Sequence, residues 1–120
     1  MPGYRIGRAA EDIKRELSDI MRSLKDPRVA GLLSIVRVEV SGDLSYAKVY
    51  ISSMEGLEQA KTAVKGLQNG SGYIRKELGR RVRLRKVPEL KFIADDSIAH
   101  SAEILRMLES FENGENSHED

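Results

Sequence analysis

Residues 69–92 read NGSGYIRKELGRRVRLRKVPELKF, and the fold turns on them. Behind Ser71, a good helix N-cap residue, Ile74, Leu78 and Val82 recur at helical spacing and predict a helix. Immediately before it, Asn69-Gly70-Ser71-Gly72 interrupts an earlier helical pattern, so two helices follow one another with a very tight break. Downstream, Pro88 favours extended backbone and opens a strand from Glu89 to Asp95, with Leu90, Phe92 and Ala94 inward.

Moving outward toward the N-terminus, Leu57, Ala60, Ala63, Val64 and Leu67 predict the preceding helix over about residues 57–68. Before it lie two β-branched runs. In residues 35–40, Val36, Val38 and Val40 share a face opposite Arg37 and Glu39. In residues 45–52, Ala47, Val49 and Ile51 share a face opposite Tyr46, Lys48 and Tyr50. Ser41-Gly42-Asp43-Leu44 between them supplies turn residues, so the pair reads as an antiparallel hairpin. Ile6, Ala10, Ile13, Leu17, Ile20 and Leu24 form one stripe of an N-terminal amphipathic helix, which Asp26-Pro27 ends. The stripe is shorter than three heptads, so it predicts core packing rather than a coiled coil. Toward the C-terminus, Ser97 caps a last helix with Ile98, Ala102, Leu105 and Leu108 as its apolar stripe.

From Glu112 onward the composition cannot bury enough to fold. The expectation is therefore one α+β domain over residues 1–111 and an acidic, disordered tail over 112–120. The order is α-β-β-α-α-β-α, with a three-stranded sheet and helices on one face.

The net charge of +1 conceals an asymmetry. Residues 75–91 hold eight Lys or Arg against Glu77 and Glu89, whereas residues 103–120 hold six acids against Arg106. Such a pattern marks a polyanion-binding face and a solvating end. Cysteine is absent, which removes disulfides and thiolate metal sites. No apolar stretch is long enough to span a bilayer, and Met-Pro-Gly-Tyr-Arg-Ile is not a secretory signal. The expected location is the cytoplasm.

Four constellations could carry function. The arginine-heavy run offers bidentate donors to phosphate, which favours nucleic acid over generic anions; a solvated face paired with the acidic end is the alternative. Gly70 and Gly72 could let backbone N–H groups approach a phosphate at a helix start, or could simply serve the backbone angles of the connection. The segment matches neither standard glycine-rich nucleotide motif, and the second reading accounts for it without a ligand. Tyr46 and Tyr50 beside Lys48 could stack bases, but the aromatic consensus of an RRM is missing and cross-strand packing explains them. Asp95, Asp96 and His100 could bind a metal, yet Asp96-Ser97 sits where a helix needs its cap, and His118 lies in the expected tail. No nucleophile–base pair stands out, so no enzyme, metal or cofactor is expected.

Leu44-Ser45-Tyr46-Ala47-Lys48-Val49-Tyr50-Ile51, Ser71-Gly72-Tyr73-Ile74-Arg75 and Leu84-Arg85-Lys86-Val87-Pro88-Glu89-Leu90-Lys91-Phe92 together resemble the bacterial ribosome-binding factor A family. Lys25-Asp26-Pro27-Arg28 and the helix before it are similar to the family too, so the resemblance covers about residues 4–111. It implies a type II KH-like fold, which agrees with the element order. It also implies a non-catalytic assembly factor for the small (30S) ribosomal subunit and precursor 16S rRNA, acting in late maturation and rRNA processing. Such factors are linked to cold adaptation and are released before translation. The family replaces the KH backbone-clamping loop by an interrupted helix at an Ala-x-Gly kink. Gly70, Ser71 and Gly72 occupy that kink here, with glycine in place of the alanine.

On this basis Arg75, Lys76, Arg80, Arg81, Arg83, Arg85 and Lys86 would contact phosphates, with Arg5 and Arg8 as secondary contacts. The partners implied are the small subunit and its rRNA, bound by a monomer with no membrane and no small-molecule substrate. A protein-interaction module meeting an acidic partner is the rival from another class, and a metal-dependent hydrolase is a remote one.

Overall fold

The β-branched runs on either side of residues 41–45 become two paired strands. The computed structural model describes residues 2–29, 31–84 and 86–119, and the side chains of 7–29, 31–84, 86–101 and 103–111. Helix α1 (Pro2–Ser23) is followed by one 3-10 turn (Pro27–Val29), strands β1 (Leu33–Val40) and β2 (Tyr46–Ser53), and helices α2 (Leu57–Asn69) and α3 (Ser71–Arg81). Strand β3 (Glu89–Asp95) and helix α4 (Ser97–Glu119) complete the chain. The α-β-β-α-α-β-α order and the α+β class agree with the sequence reading.

β1 and β2 pair antiparallel, with Val38 opposite Val49 and Val40 opposite Ala47. Their turn is held by Asp43, whose Oδ1 accepts from the Ser41 hydroxyl at 2.8 Å, the Ser45 hydroxyl at 2.7 Å and the Ser45 N–H at 3.1 Å. Those donors, the Ser45 hydroxyl first, lower the Asp43 carboxyl to a pKa of about 2. Leu44 adopts a φ of 61°, a left-handed conformation that a non-glycine residue keeps only when its surroundings enforce it.

One strand expectation is corrected. The register shifts between Ile35 and Arg37, leaving Val36 as the extra residue of a β-bulge. An inserted residue reverses the alternation, so Leu33 and Ile35 on one side of it and Val38 and Val40 on the other all reach the core. Val36 does not share their face.

β3 lies parallel to the free side of β2, with Leu90 beside Ala47 and Phe92 beside Val49. The sheet order is β1-β2-β3, so β3 is an edge strand. Gln68 of α2 covers part of that edge: its Nε2 donates to the Leu90 carbonyl and its Oε1 accepts from the Phe92 N–H, both at 3.2 Å. A strand edge satisfied by a side chain is a poorer template for pairing with another chain.

Helices α1, α2 and α3 supply the layer that buries the inner sheet face. Ile13 and Ile20 of α1, Ala63 and Leu67 of α2, and Ile74 and Leu78 of α3 meet Val49, Ile51 and Leu90 in one core. Gly66 permits the closest approach. A Cβ there would lie 2.9 Å from Val29 Cγ2 and 3.1 Å from Arg28 Cβ, so only glycine lets the 3-10 turn rest on α2.

The break between α2 and α3 is a kink rather than a loop. Gly70 N–H donates to Gly66 O at 3.1 Å and Ile74 N–H donates to Gly70 O at 3.0 Å, so helical bonding continues on both sides. Gly70 sits at φ −92° and ψ 11°. The sequence predicts Ser71 as the N-cap, but Gly70 holds that place and no side chain caps α3. A side-chain cap needs extended backbone at the cap position, which a nearly continuous helix does not provide.

The start of α4 is corrected likewise. Ser97 is its first residue, and its N–H donates to Asp95 Oδ1 at 2.6 Å; the Ile98 N–H donates to Ser52 Oγ at 3.1 Å. The caps therefore come from β3 and β2, not from Ser97. Beyond that anchor, Leu105 and Leu108 are exposed instead of closing the core. The helix runs on to Glu119, eight residues past the domain limit expected at Phe111.

Candidate nucleic-acid interface

α3 buries Ile74 and Leu78 and turns its other side outward. On that side stand Tyr73, 55% exposed, with Lys76 and Arg80 at helical spacing behind it. Arg80 reaches Glu77 only at 3.7 Å and its side chain is 65% exposed. An ion pair this exposed contributes little and leaves the guanidinium presented to solvent. Past the end of α3, Arg83 and Lys86 are also exposed. Lys76, Arg83 and Lys86 make no ion pair among the described residues.

Two arginines of the predicted set are differently employed. Arg75 is half-buried, and its guanidinium donates from Nε to Pro88 O at 3.1 Å and from Nη2 to Val87 O at 3.0 Å. It thereby joins α3 to the entrance of β3. Arg81 lies against α1, with Nη1 2.5 Å from Asp19 Oδ2 and 3.6 Å from Glu16 Oε1. The Arg81 hydrogen bond holds the Asp19 carboxyl below the usual carboxylate range. Both arginines position the surface as well as charging it.

Arg85 and the side chain of Arg5 lie outside the described residues. Arg8 is exposed on α1. It lies roughly 12 Å along the helix axis from Glu16, where α1 meets α3.

Sequence reasoning missed two basic residues near the kink. Lys65 is exposed on α2 and makes no ion pair among the described residues. Helical spacing carried across the break links it to Lys76, a signal hidden while the break reads as a turn. Arg28 packs against the kink from the 3-10 turn. Its backbone N–H, Nε and Nη2 all donate to the Asp26 carboxylate, at 2.9, 3.1 and 2.8 Å. With the Asn69 amide oxygen turned toward it, its two terminal nitrogens also donate to Asn69 at 3.1 and 3.3 Å. The Arg28 side chain, and then its backbone N–H, lower the Asp26 pKa.

The other constellations follow their structural readings. The Arg37 guanidinium stacks 4.3 Å above the Tyr50 ring, and the Tyr50 hydroxyl donates to Glu39 at 3.0 Å. Tyr50 is thus engaged in cross-strand packing, while Tyr46 is exposed on the same sheet face. Asp95 caps α4, and among the described residues no three His, Cys, Asp or Glu side chains gather as metal ligands. No helix among them is long and apolar enough to cross a membrane.

A family model described as "Ribosome-binding factor A" matches residues 5–108. The chain is 47% identical over 114 residues to a ribosome-binding factor A of Treponema denticola, covering 93% of this chain and 86% of that one. The crystal structure of ribosome-binding factor A from Thermus thermophilus superimposes with a TM-score of 0.66 at 30% identity, covering 74% of this chain and 94% of that chain. A Thermus thermophilus ribosome binding factor A homology model fitted into the cryo-EM map of a 30S complex gives a TM-score of 0.59 at 32% identity, covering 70% and 88% of the two chains.

Proposed function

Because the chain belongs to the ribosome-binding factor A family, we propose that it binds the small ribosomal subunit and docks the outer side of α3 on precursor 16S rRNA. The observation that carries this reading is the set Lys76, Arg80, Arg83 and Lys86. These side chains are exposed around one helix end, and their only ion pair among the described residues is the long Arg80–Glu77 contact. Arg85 and Lys65 would extend the set, with Arg5 and Arg8 as outer contacts. Arg75 and Arg81 contribute charge while fixing the surface in place. The kink at residues 70–72 sets the direction of α3 and so belongs to the same surface.

The remainder of the proposal is a non-catalytic role in the cytoplasm. A monomer recognises the shape and backbone of the subunit rRNA, favours late maturation and rRNA processing, and leaves before translation. Backbone contacts suit this surface because Tyr73 is its one exposed aromatic. The fitted 30S complex of the Thermus relative supports the choice of subunit.

Co-sedimentation with isolated small subunits across a salt series tests the proposal. With about four phosphates neutralised, log affinity against log salt should slope by roughly −3 to −4. Arg80→Ala with Arg83→Ala should weaken binding without lowering the melting temperature. A slope near zero, or unchanged co-sedimentation of the double variant, would refute the electrostatic docking.

A further inference from the structure

α4 leaves the domain at the end of the sheet remote from the basic surface. β3 begins beside the segment that Arg75 holds and runs seven residues, roughly 20 Å, to Asp95, where α4 starts. Past its anchored first turn the helix bears five large apolar side chains in water. Ile104 is 43% exposed, Leu105 60%, Met107 65%, Leu108 56% and Phe111 70%. Ile104, Leu108 and Phe111 follow one another at i, i+4 and i+7, with Leu105 and Met107 at their flanks. An apolar strip of this kind, bordered by charge, is the signature of a protein contact site.

The charge of the border selects the partner. Nineteen Lys or Arg against thirteen acids precede Ser97, whereas one against six follow it. A basic body thus carries an acidic, apolar rod. RNA would repel the rod. Pairing two such helices would place the acids of one against those of the other. Laying the helix on the basic face of a second copy would cover Lys76, Arg80, Arg83 and Lys86, which the function proposed above assigns to rRNA.

We infer that α4 is a docking helix for a basic protein whose apolar groove receives Ile104, Leu108 and Phe111 while its Lys and Arg residues meet Glu103 and Glu109. Given the function proposed above, on which this choice of partner rests, that protein belongs to the small subunit. The molecule then holds its target at two ends, rRNA on α3 and protein on α4.

The test compares the full chain with Leu108→Ser plus Phe111→Ser, two exposed positions of the strip, on purified small subunits and on protein-free 16S rRNA. Subunit affinity should fall about tenfold or more, as for loss of central apolar anchors, while 16S rRNA affinity stays within about twofold. Glu103→Lys plus Glu109→Lys, which removes no apolar contact, should weaken subunit binding and tighten 16S rRNA binding. Equal loss on both targets, no loss on subunits, or a free-protein mass that falls from dimer to monomer in the serine variant would overturn the docking helix. Wild-type protein that fails to bind subunits would refute the proposed function and this partner together. Wild-type binding that both variants retain would refute the docking helix alone.

Discussion

Replacing Arg75 with alanine should cost stability first and binding second, the reverse of Lys76→Ala one residue away. Arg75 gives two hydrogen bonds to the carbonyls of Val87 and Pro88, across a segment with no other tie to α3 through a charged side chain among the described residues. A hydrogen bond to a charged group contributes about 1.5–3 kcal/mol when desolvated. Arg75 is only half-buried, and water would reach the freed carbonyls, so the pair together should be worth about 2 kcal/mol. For a domain of this size that lowers the melting temperature by roughly 8 °C. Lysine should not restore it, because a single ammonium cannot span two carbonyls as the planar fork does. Urea unfolding of Arg75→Ala, Arg75→Lys and Lys76→Ala, alongside their salt-dependent co-sedimentation with small subunits, makes the measurement. Lys76→Ala should hold its unfolding midpoint and reduce the salt slope by about 1. If Arg75→Ala kept full stability yet lost binding, the division between supporting and contacting cations would be wrong.

Glycine substitutions should have opposite effects four residues apart. Gly66→Ala puts a Cβ 2.9 Å from Val29 and should destabilise by about 1–3 kcal/mol through overpacking. Gly70→Ala meets only ordinary contacts from 3.6 Å at a φ of −92°, and should stabilise by about 0.5–1 kcal/mol in the same urea titration. Acid should unfold the protein through its paired carboxylates. Asp19, Asp26 and Asp43 all titrate below the usual 3.8, Asp43 near 2, so their contribution is complete above about pH 4 and is lost as pH falls through the lowered values. Melting curves from pH 7 to 2 should show that decline, with a shallower acid limb in Asp43→Ala. Truncation after Phe111 should leave the melting temperature unchanged, because the packed core is complete without α4; a clear drop would move the domain limit beyond residue 111.

Element order was legible because each helix and strand carries its own period. The stripe from Ile13 to Ile20 and the alternation from Ala47 to Ile51 are local facts, and both are buried as read. What escaped depends on a partner distant in sequence. The bulge at Val36 was hidden because the extra residue is itself β-branched and apolar, so the run looks regular. Ser97 looked like a cap, but the hydroxyl that receives the Ile98 N–H belongs to Ser52, on another strand. In the basic segment the density of charge was visible, whereas its division was not. Adjacent Arg75 and Lys76 are equivalent in a linear reading and differ only because one points toward β3.

That division explains how so short a helix can present charge in a fixed array. α3 spans eleven residues, too few to be stable alone in water, so its geometry must be imposed from outside. At its start the Gly66 contact and the Asp26–Arg28–Asn69 hydrogen bonds tie the kink to the 3-10 turn. Near its middle Arg75 ties it to the entrance of β3, and at its end Arg81 ties it to Asp19 and Glu16 of α1. Lys76 and Arg80 are thus carried on backbone already held at three points before any ligand arrives. Ordering that backbone is part of what binding would otherwise cost, so a rigid α3 gains affinity without adding contacts. It follows that loosening the tether at Arg81 should weaken rRNA binding even at salt concentrations where the lost charge itself is screened. Arg81→Gln, compared with wild type on small subunits at low and high salt, separates the two effects. A deficit that vanishes at high salt would mean that charge alone accounts for Arg81, and that the rigidity of α3 contributes nothing.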